Sequence, residues 1–132
     1  TDNGKGVPKR DLELLCTRHA TSKLSSVDDF SSLSTFGFRG EALASTSMVS
    51  RMLTVSSRVR MGDYDDDNTQ QQNNGVAYSQ SYKNGKPIQP NPKPCARKVG
   101  TTITIQDLFY NVPHRLQAYS KKESEEYAKN RK

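Results

Sequence analysis

Apolar residues recur along the chain with two different periods. Over residues 9–19, Leu12, Leu15, Cys16 and His19 fall at i, i+3, i+4 and i+7, the spacing of a helix with one buried stripe. Leu14 lies beside that stripe and widens it, and Pro8 stands where a first helical turn tolerates proline. Residues 51–58, 76–82 and 101–105 alternate instead and carry β-branched side chains, which predicts three strands, the second closed by Asn84-Gly85. Residues 20–40 are rich in Ser, Thr and Gly around isolated apolar anchors such as Phe30, Leu33, Phe36 and Phe38. They predict a long ordered loop with at most a short helix over 27–33, and loops of that length are usually functional. A second short helix is expected over 41–47, directly after Gly40.

Elsewhere the apolar pattern fails. Residues 62–75 form a polar, low-complexity insert with too little apolar surface to pack. Its carboxylates lack the central glycine and terminal glutamate of a calcium loop. Residues 87–94 read as a proline-spaced linker. Beyond Pro113, residues 114–132 read as a polar helical segment leading to a next domain, with Leu116, Tyr119 and Tyr127 as its few apolar contacts.

Composition changes this picture in one respect. A chain of 132 residues fits one domain, but its 32% hydrophobic residues and mean hydropathy of −0.87 fill a small core poorly. The first residues, Thr1-Asp2-Asn3-Gly4-Lys5-Gly6, start inside a motif without an initiator Met. The expectation is a partial domain, truncated at its N-terminus. Twenty Lys and Arg against 14 Asp and Glu give a net charge of +6, which permits contact with nucleic acid or another polyanion. Much of that excess lies near the C-terminal end, where a solvated tail explains it equally well. Cys16 and Cys95 form no C-x-x-C pair, which argues against a disulfide framework or zinc site and for two reduced thiols in an intracellular protein. No run approaches the roughly 18 apolar residues of a membrane span.

Two glycine-rich elements carry the candidate chemistry. Asp2-x-Gly4-x-Gly6 is a turn in which glycines supply positive φ cheaply. Gly37-Phe38-Arg39-Gly40-Glu41-Ala42-Leu43 is a glycine turn running into a helix start, whose N–H groups and partial positive charge suit phosphate. Upstream, Thr21-Ser22-Lys23 offers two hydroxyls and a cation for polyphosphate oxygens. No Walker loop occurs in the chain. Alone, each glycine cluster is more often a plain turn. Together they predict a nucleotide site with a mobile lid.

These residues match a family. Asp2-Asn3-Gly4-x-Gly6 resembles the adenine-binding motif shared by gyrase, Hsp90, histidine kinases and MutL proteins. Thr21-Ser22-Lys23-Leu24, with the stretch from Thr35 to Ser45, resembles the lid of the MutL branch. The block from Gly100 to Arg115 is similar to that branch's next signature, and Lys93-Pro94-Cys95-Ala96 leans towards the eukaryotic first MutL homologue.

The resemblance implies an α+β fold, a two-layer sandwich of the gyrase/Hsp90/histidine kinase/MutL type with its first helix and strands missing. It implies an ATP site formed by Asp2, Gly4, Gly6, Thr21, Ser22, Lys23, Gly37, Phe38, Arg39, Gly40, Glu41, Ala42, Leu43 and Thr101. In that family the Asp2 carboxylate accepts from the adenine amino group and Thr101 supports it. The backbone of residues 39–43 holds the phosphates, with the Arg39 and Glu41 side chains fixing the loop. The family places its general-base glutamate and its Mg2+-binding asparagine upstream, and a phosphate-binding lysine in the following domain. No catalytic residue or metal ligand therefore falls in these residues. The fragment is expected to be inactive and the parent protein a slow ATPase in DNA mismatch repair. The implied partners are a second MutL homologue in a heterodimer, a MutS-type mismatch-recognition complex and DNA bound without sequence specificity, in the nucleus and away from membranes. Two other readings stand beside this one. The first is a non-catalytic DNA-binding or interaction module keeping the fold. The second is a sibling ATPase, against which residues 37–45 and 107–113 argue.

Overall fold

A computed structural model describes residues 1–17, 41–62 and 75–129, with side chains as far as Lys122. Expectations for His19, for the loop and short helix over 20–40 and for nearly all of the polar insert lie outside the described residues. The elements in chain order are α1 (Lys9–Leu12), α2 (Glu41–Val49), β1 (Ser50–Arg58), β2 (Ala77–Lys83), β3 (Lys86–Pro87), β4 (Lys93–Cys95), β5 (Gly100–Leu108) and α3 (Pro113–Lys129). The fold is α+β. A five-stranded sheet runs β3-β2-β1-β5, with β4 also paired to β2, and every pairing is antiparallel.

Strand β1 is the centre of the sheet and its alternation decides which face is covered. Leu53, Val55 and Ser57 are buried while Met52, Thr54 and Ser56 are half-buried, as a period of two requires. Leu53 lies opposite Tyr82 of β2 and Ile105 of β5, and Ser57 opposite Tyr78 and Thr101. The core joins Leu53, Val55 and Tyr82 to Leu12 and Cys16, with Val7, Leu15, Leu43 and Tyr78 packed against it. On the other face hydroxyls pair across the strands, Thr54 with Ser81 at 2.9 Å and Ser56 with Ser79 at 3.0 Å. The two-residue turn between β2 and β3 has positive φ at both Asn84 and Gly85, the signature of a tight hairpin turn matched to strand twist. It lies beneath α2, where Asn84 N donates to the Ser47 carbonyl at 3.2 Å and Gly85 N to the Ser47 hydroxyl at 2.9 Å.

Three expectations are corrected. The helix over 9–19 is regular only across Lys9–Leu12, and residues 13–16 are turns. The Leu12 carbonyl, which a continuing helix would give to Cys16 N, receives the Tyr82 hydroxyl. The chain tightens into i→i+3 bonds such as Thr17 N to Leu14 O at 2.9 Å. Leu12 and Cys16 stay buried, but Leu14 is 55% exposed and widens nothing. The proline-spaced linker contributes two short strands, with Pro87 opposite Tyr82 and Pro94 opposite Tyr78. Proline is tolerated there because an edge strand can spare the missing N–H. Finally, Leu116 and Tyr119 of α3 are exposed. Their helix leans on Phe109, which meets the Tyr119 ring edge-on at 6.4 Å and the Arg115 guanidinium at 5.7 Å.

Candidate functional site

The turn at Asp2 is built against the outer edge of β5. Asp2 N donates to the Thr101 carbonyl at 2.8 Å. In return Thr101 N donates to Asp2 Oδ1 at 3.0 Å, so a side-chain oxygen takes the place of a neighbouring strand's carbonyl. The same Oδ1 accepts Gly4 N at 3.0 Å, the local bond by which aspartate closes its own turn. Oδ1 is thus held by two backbone N–H groups. Oδ2 has no hydrogen-bond partner among the described residues, and Asp2 is exposed.

Charge follows from this geometry. The Gly4 N–H, then the Thr101 N–H and the Arg97 guanidinium, hold the Asp2 carboxyl below the usual carboxylate range, with slight burial working against them. Arg97 also braces the turn through its backbone, donating to the Asp2 carbonyl at 3.2 Å and to the Ser56 carbonyl at 3.3 Å. The result is a fixed anion whose open oxygen can only accept.

Two glycines are needed for this approach. A Cβ on Gly100, at φ +121°, would lie 2.3 Å from the Asp2 carbonyl oxygen, and one on Gly6, at φ +85°, would lie 2.2 Å from that of Arg58. Lys5 O accepts Arg60 N at 3.0 Å, so the strand end at Arg58 and the turn at Gly6 run in contact. Beneath them Ser57, buried on β1, accepts Val7 N at 2.7 Å and donates to Gly100 O at 3.0 Å. Its Oγ also lies 3.0 Å from Thr101 Oγ1.

Of the residues expected at the site, Asp2, Gly4, Gly6 and Thr101 come together. Glu41, Ala42 and Leu43 form the first turn of α2, and Leu43 packs on the same buried cluster as Val7. That cluster therefore underlies both Val7, just after the Asp2 turn, and the first turn of α2. Thr21, Ser22, Lys23, Gly37, Phe38, Arg39 and Gly40 lie outside the described residues. Sequence reasoning missed Ser57 and Arg97. A serine in the inward register of Leu53 and Val55 is the signal that points to Ser57, whereas Arg97 carries none beyond its charge. Among the described residues no group of three His, Cys, Asp or Glu could hold a metal ion.

No protein-family model matches the chain. The chain is similar to the DNA mismatch repair protein MLH1 of Saccharomyces cerevisiae, at 45% identity over 129 residues, which is 98% of this chain and 15% of that protein. It is similar to the DNA mismatch repair protein MutL of Shewanella loihica, at 47% identity over 115 residues, which is 87% of this chain and 16% of that one. The chain thus spans about a sixth of the length of the curated relatives it matches. Among solved structures it overlays the N-terminal domain of a DNA repair protein with TM-score 0.63 and 27% identity, over 97% of this chain and 31% of that one. With the Asp2 turn, the β5 signature and these likenesses together, the chain belongs to the MutL-homologue family of DNA mismatch-repair proteins and has an α+β fold like that N-terminal domain.

Proposed function

We propose that this chain forms the adenine-binding part of an ATP site, and that ATP binding and slow hydrolysis by the whole protein drive N-terminal dimerisation and repair signalling. The observation that carries the reading is the exposed Asp2 carboxylate, with Oδ1 tied to the Thr101 and Gly4 amides and Oδ2 without a hydrogen-bond partner among the described residues. An exocyclic amino group needs an acceptor, and an acceptor-only group discriminates against a ring carbonyl at the same place. The Gly6 and Gly100 contacts supply a backbone close enough for a flat base to lie against. Thr21, Ser22, Lys23 and the segment from Gly37 to Leu43 would close over the phosphates, with the start of α2 supplying N–H groups to them. Mg2+ would accompany those phosphates. The names of the relatives support a place in mismatch repair. A second MutL homologue, a MutS-type complex and DNA are the partners proposed with this reading, and the nucleus its proposed compartment.

The test is ATP turnover by the full-length protein beside its Asp2→Asn variant. Asparagine can keep the Oδ1 bonds while turning an NH2 towards the adenine amino group, so binding and turnover are expected to be lost together. Equal turnover in both proteins would sink the proposal.

A further inference from the structure

The inward face of β1 carries a hydroxyl at Ser57 where Leu53 and Val55 carry apolar side chains, and Ser57 is 1% exposed. Its three polar contacts can be assigned proton by proton. A hydroxyl owns one proton and two lone pairs. Val7 N–H can only donate to Ser57 Oγ, at 2.7 Å, and the Gly100 carbonyl can only accept from it, at 3.0 Å. The single Ser57 proton is therefore committed to Gly100. The remaining contact, 3.0 Å from Thr101 Oγ1, must take its proton from Thr101.

We infer that Ser57 is a positioning residue that sets the purine selectivity of the site: by accepting the Thr101 proton it turns the Thr101 hydroxyl into an acceptor. This rests on the reading that Asp2 and Thr101 face the base. Thr101 pairs with Asp2 through both of its backbone groups, and on that reading the two side chains meet the base together. The pair then offers acceptors alone. A 6-amino purine brings two protons to it, directly or through water. A 6-oxo purine brings a carbonyl and meets lone pairs. Without the Ser57 hydroxyl, Thr101 is free to rotate its proton outwards and welcome that carbonyl.

The experiment compares ATP with inosine triphosphate, which differs in carrying the 6-oxo group, in competition binding to the full-length protein. Wild-type protein is expected to prefer ATP, and Ser57→Ala to narrow the ATP-to-inosine ratio by about tenfold. Ser57→Thr, which keeps the hydroxyl, should hold the wild-type ratio. In a Thr101→Val background Ser57→Ala should leave the ratio where it stands, since the group it orients is gone. A Ser57→Ala protein that loses affinity for both nucleotides in proportion overturns the inference and makes Ser57 merely structural. If that variant does not fold, Ser57→Cys, of similar size but a poor hydrogen-bond partner, takes its place with the same two outcomes. Wild-type protein that binds neither nucleotide defeats the ATP-site reading itself. ATP preference that needs Asp2 but ignores Ser57 defeats this inference alone.

Discussion

Asn111 Nδ2 donates to the carbonyl of Met48 at 2.9 Å, so the last turn of α2 is closed by a side chain 63 positions further along. Phe109 N reaches the adjacent Val49 carbonyl at 2.6 Å. Helix ends leave carbonyls without intrahelical partners, and here the segment after β5 supplies them. Asp107 and Phe109 both have positive φ, 49° and 65°, which side chains rarely adopt. The Arg51 Nε to Asp107 Oδ2 bond at 2.5 Å, with Arg51 over the Tyr110 ring at 5.3 Å, holds that conformation. Asn111→Ala is therefore expected to lower stability by about 1 kcal/mol. A urea midpoint equal to that of wild type would show that the cap contributes nothing.

The two kinds of positive-φ glycine separate space from backbone preference. Gly100→Ala drives a Cβ into the Asp2 carbonyl and also strains the backbone. Gly62→Ala meets no atom within 4 Å among the described residues and there carries the backbone cost alone, at φ +94°. Gly100→Ala should displace Asp2, abolish ATP binding and cost more than the roughly 1–3 kcal/mol of a strained residue. Gly62→Ala should stay within that range and keep ATP affinity. Thermal melts and nucleotide titrations of the two variants decide it, and equal losses would contradict the geometry.

Asp2 fixes a pH dependence. Its folded-state pKa is lowered, first by the Gly4 N–H and then by Thr101 and Arg97. The ionised form, and whatever stability it brings, is present above the ordinary carboxylate value and disappears only as pH falls through the lowered one. The Asp2-dependent part of ATP affinity should persist as pH falls to the ordinary carboxylate value of 3.8 and be lost only below it. A midpoint near neutrality would assign the titration to another group.

Burial pushes the Cys16 thiol up to about 11 from its ordinary 9.0, with a Ser47 hydrogen bond acting in the opposite direction. Raising the folded-state pKa of an acid favours the folded state at low pH, and that contribution is lost as pH rises from 9.0 towards 11. Stability should decline across that window, and Cys16→Ala should flatten the slope. Native protein treated with iodoacetamide at about pH 8 should label the half-buried Cys95 and spare Cys16. Mass spectrometry finding both labelled equally would contradict the burial.

Tyr82 holds the point at which α1 stops. Its hydroxyl donates to the buried Leu12 carbonyl, so Tyr82→Phe removes that donor and is expected to cost about 1–3 kcal/mol. Circular dichroism with urea unfolding gives the value. An unchanged midpoint would mean that a resumed helical bond from Cys16 N replaces the phenol.

This same bond explains what the sequence could and could not reveal. Strands β1, β2 and β5 were legible because alternation is a local property of each segment, and α2 because its glycine boundary and apolar spacing lie within a few residues. The early end of α1 was not, since it depends on a tyrosine 70 positions away. Strands β3 and β4, two and three residues long and bearing prolines, have no period to read and exist because β2 offers them an edge. At the site, Asp2 and Thr101 were found as motif residues. Ser57 showed in the sequence only as a serine in the inward alternation of Leu53 and Val55, and its role needed the register opposite Thr101.

The prolines of β3 and β4 also give the sheet a direction. Both strands lie on the outer edge of β2, and a proline offers no N–H to a further neighbour. Growth on that flank is blunted, as edge strands of natural sheets commonly are. At the opposite flank β5 ends the strand order among the described residues, and Asp2 occupies its first outward pair of hydrogen-bonding groups. The sheet therefore has a sealed border and an open one, and the proposed base-reading carboxylate stands at the open border's threshold. Any strand added there must align itself past Asp2, so the turn that holds the carboxylate also sets the register at which the sheet can be enlarged.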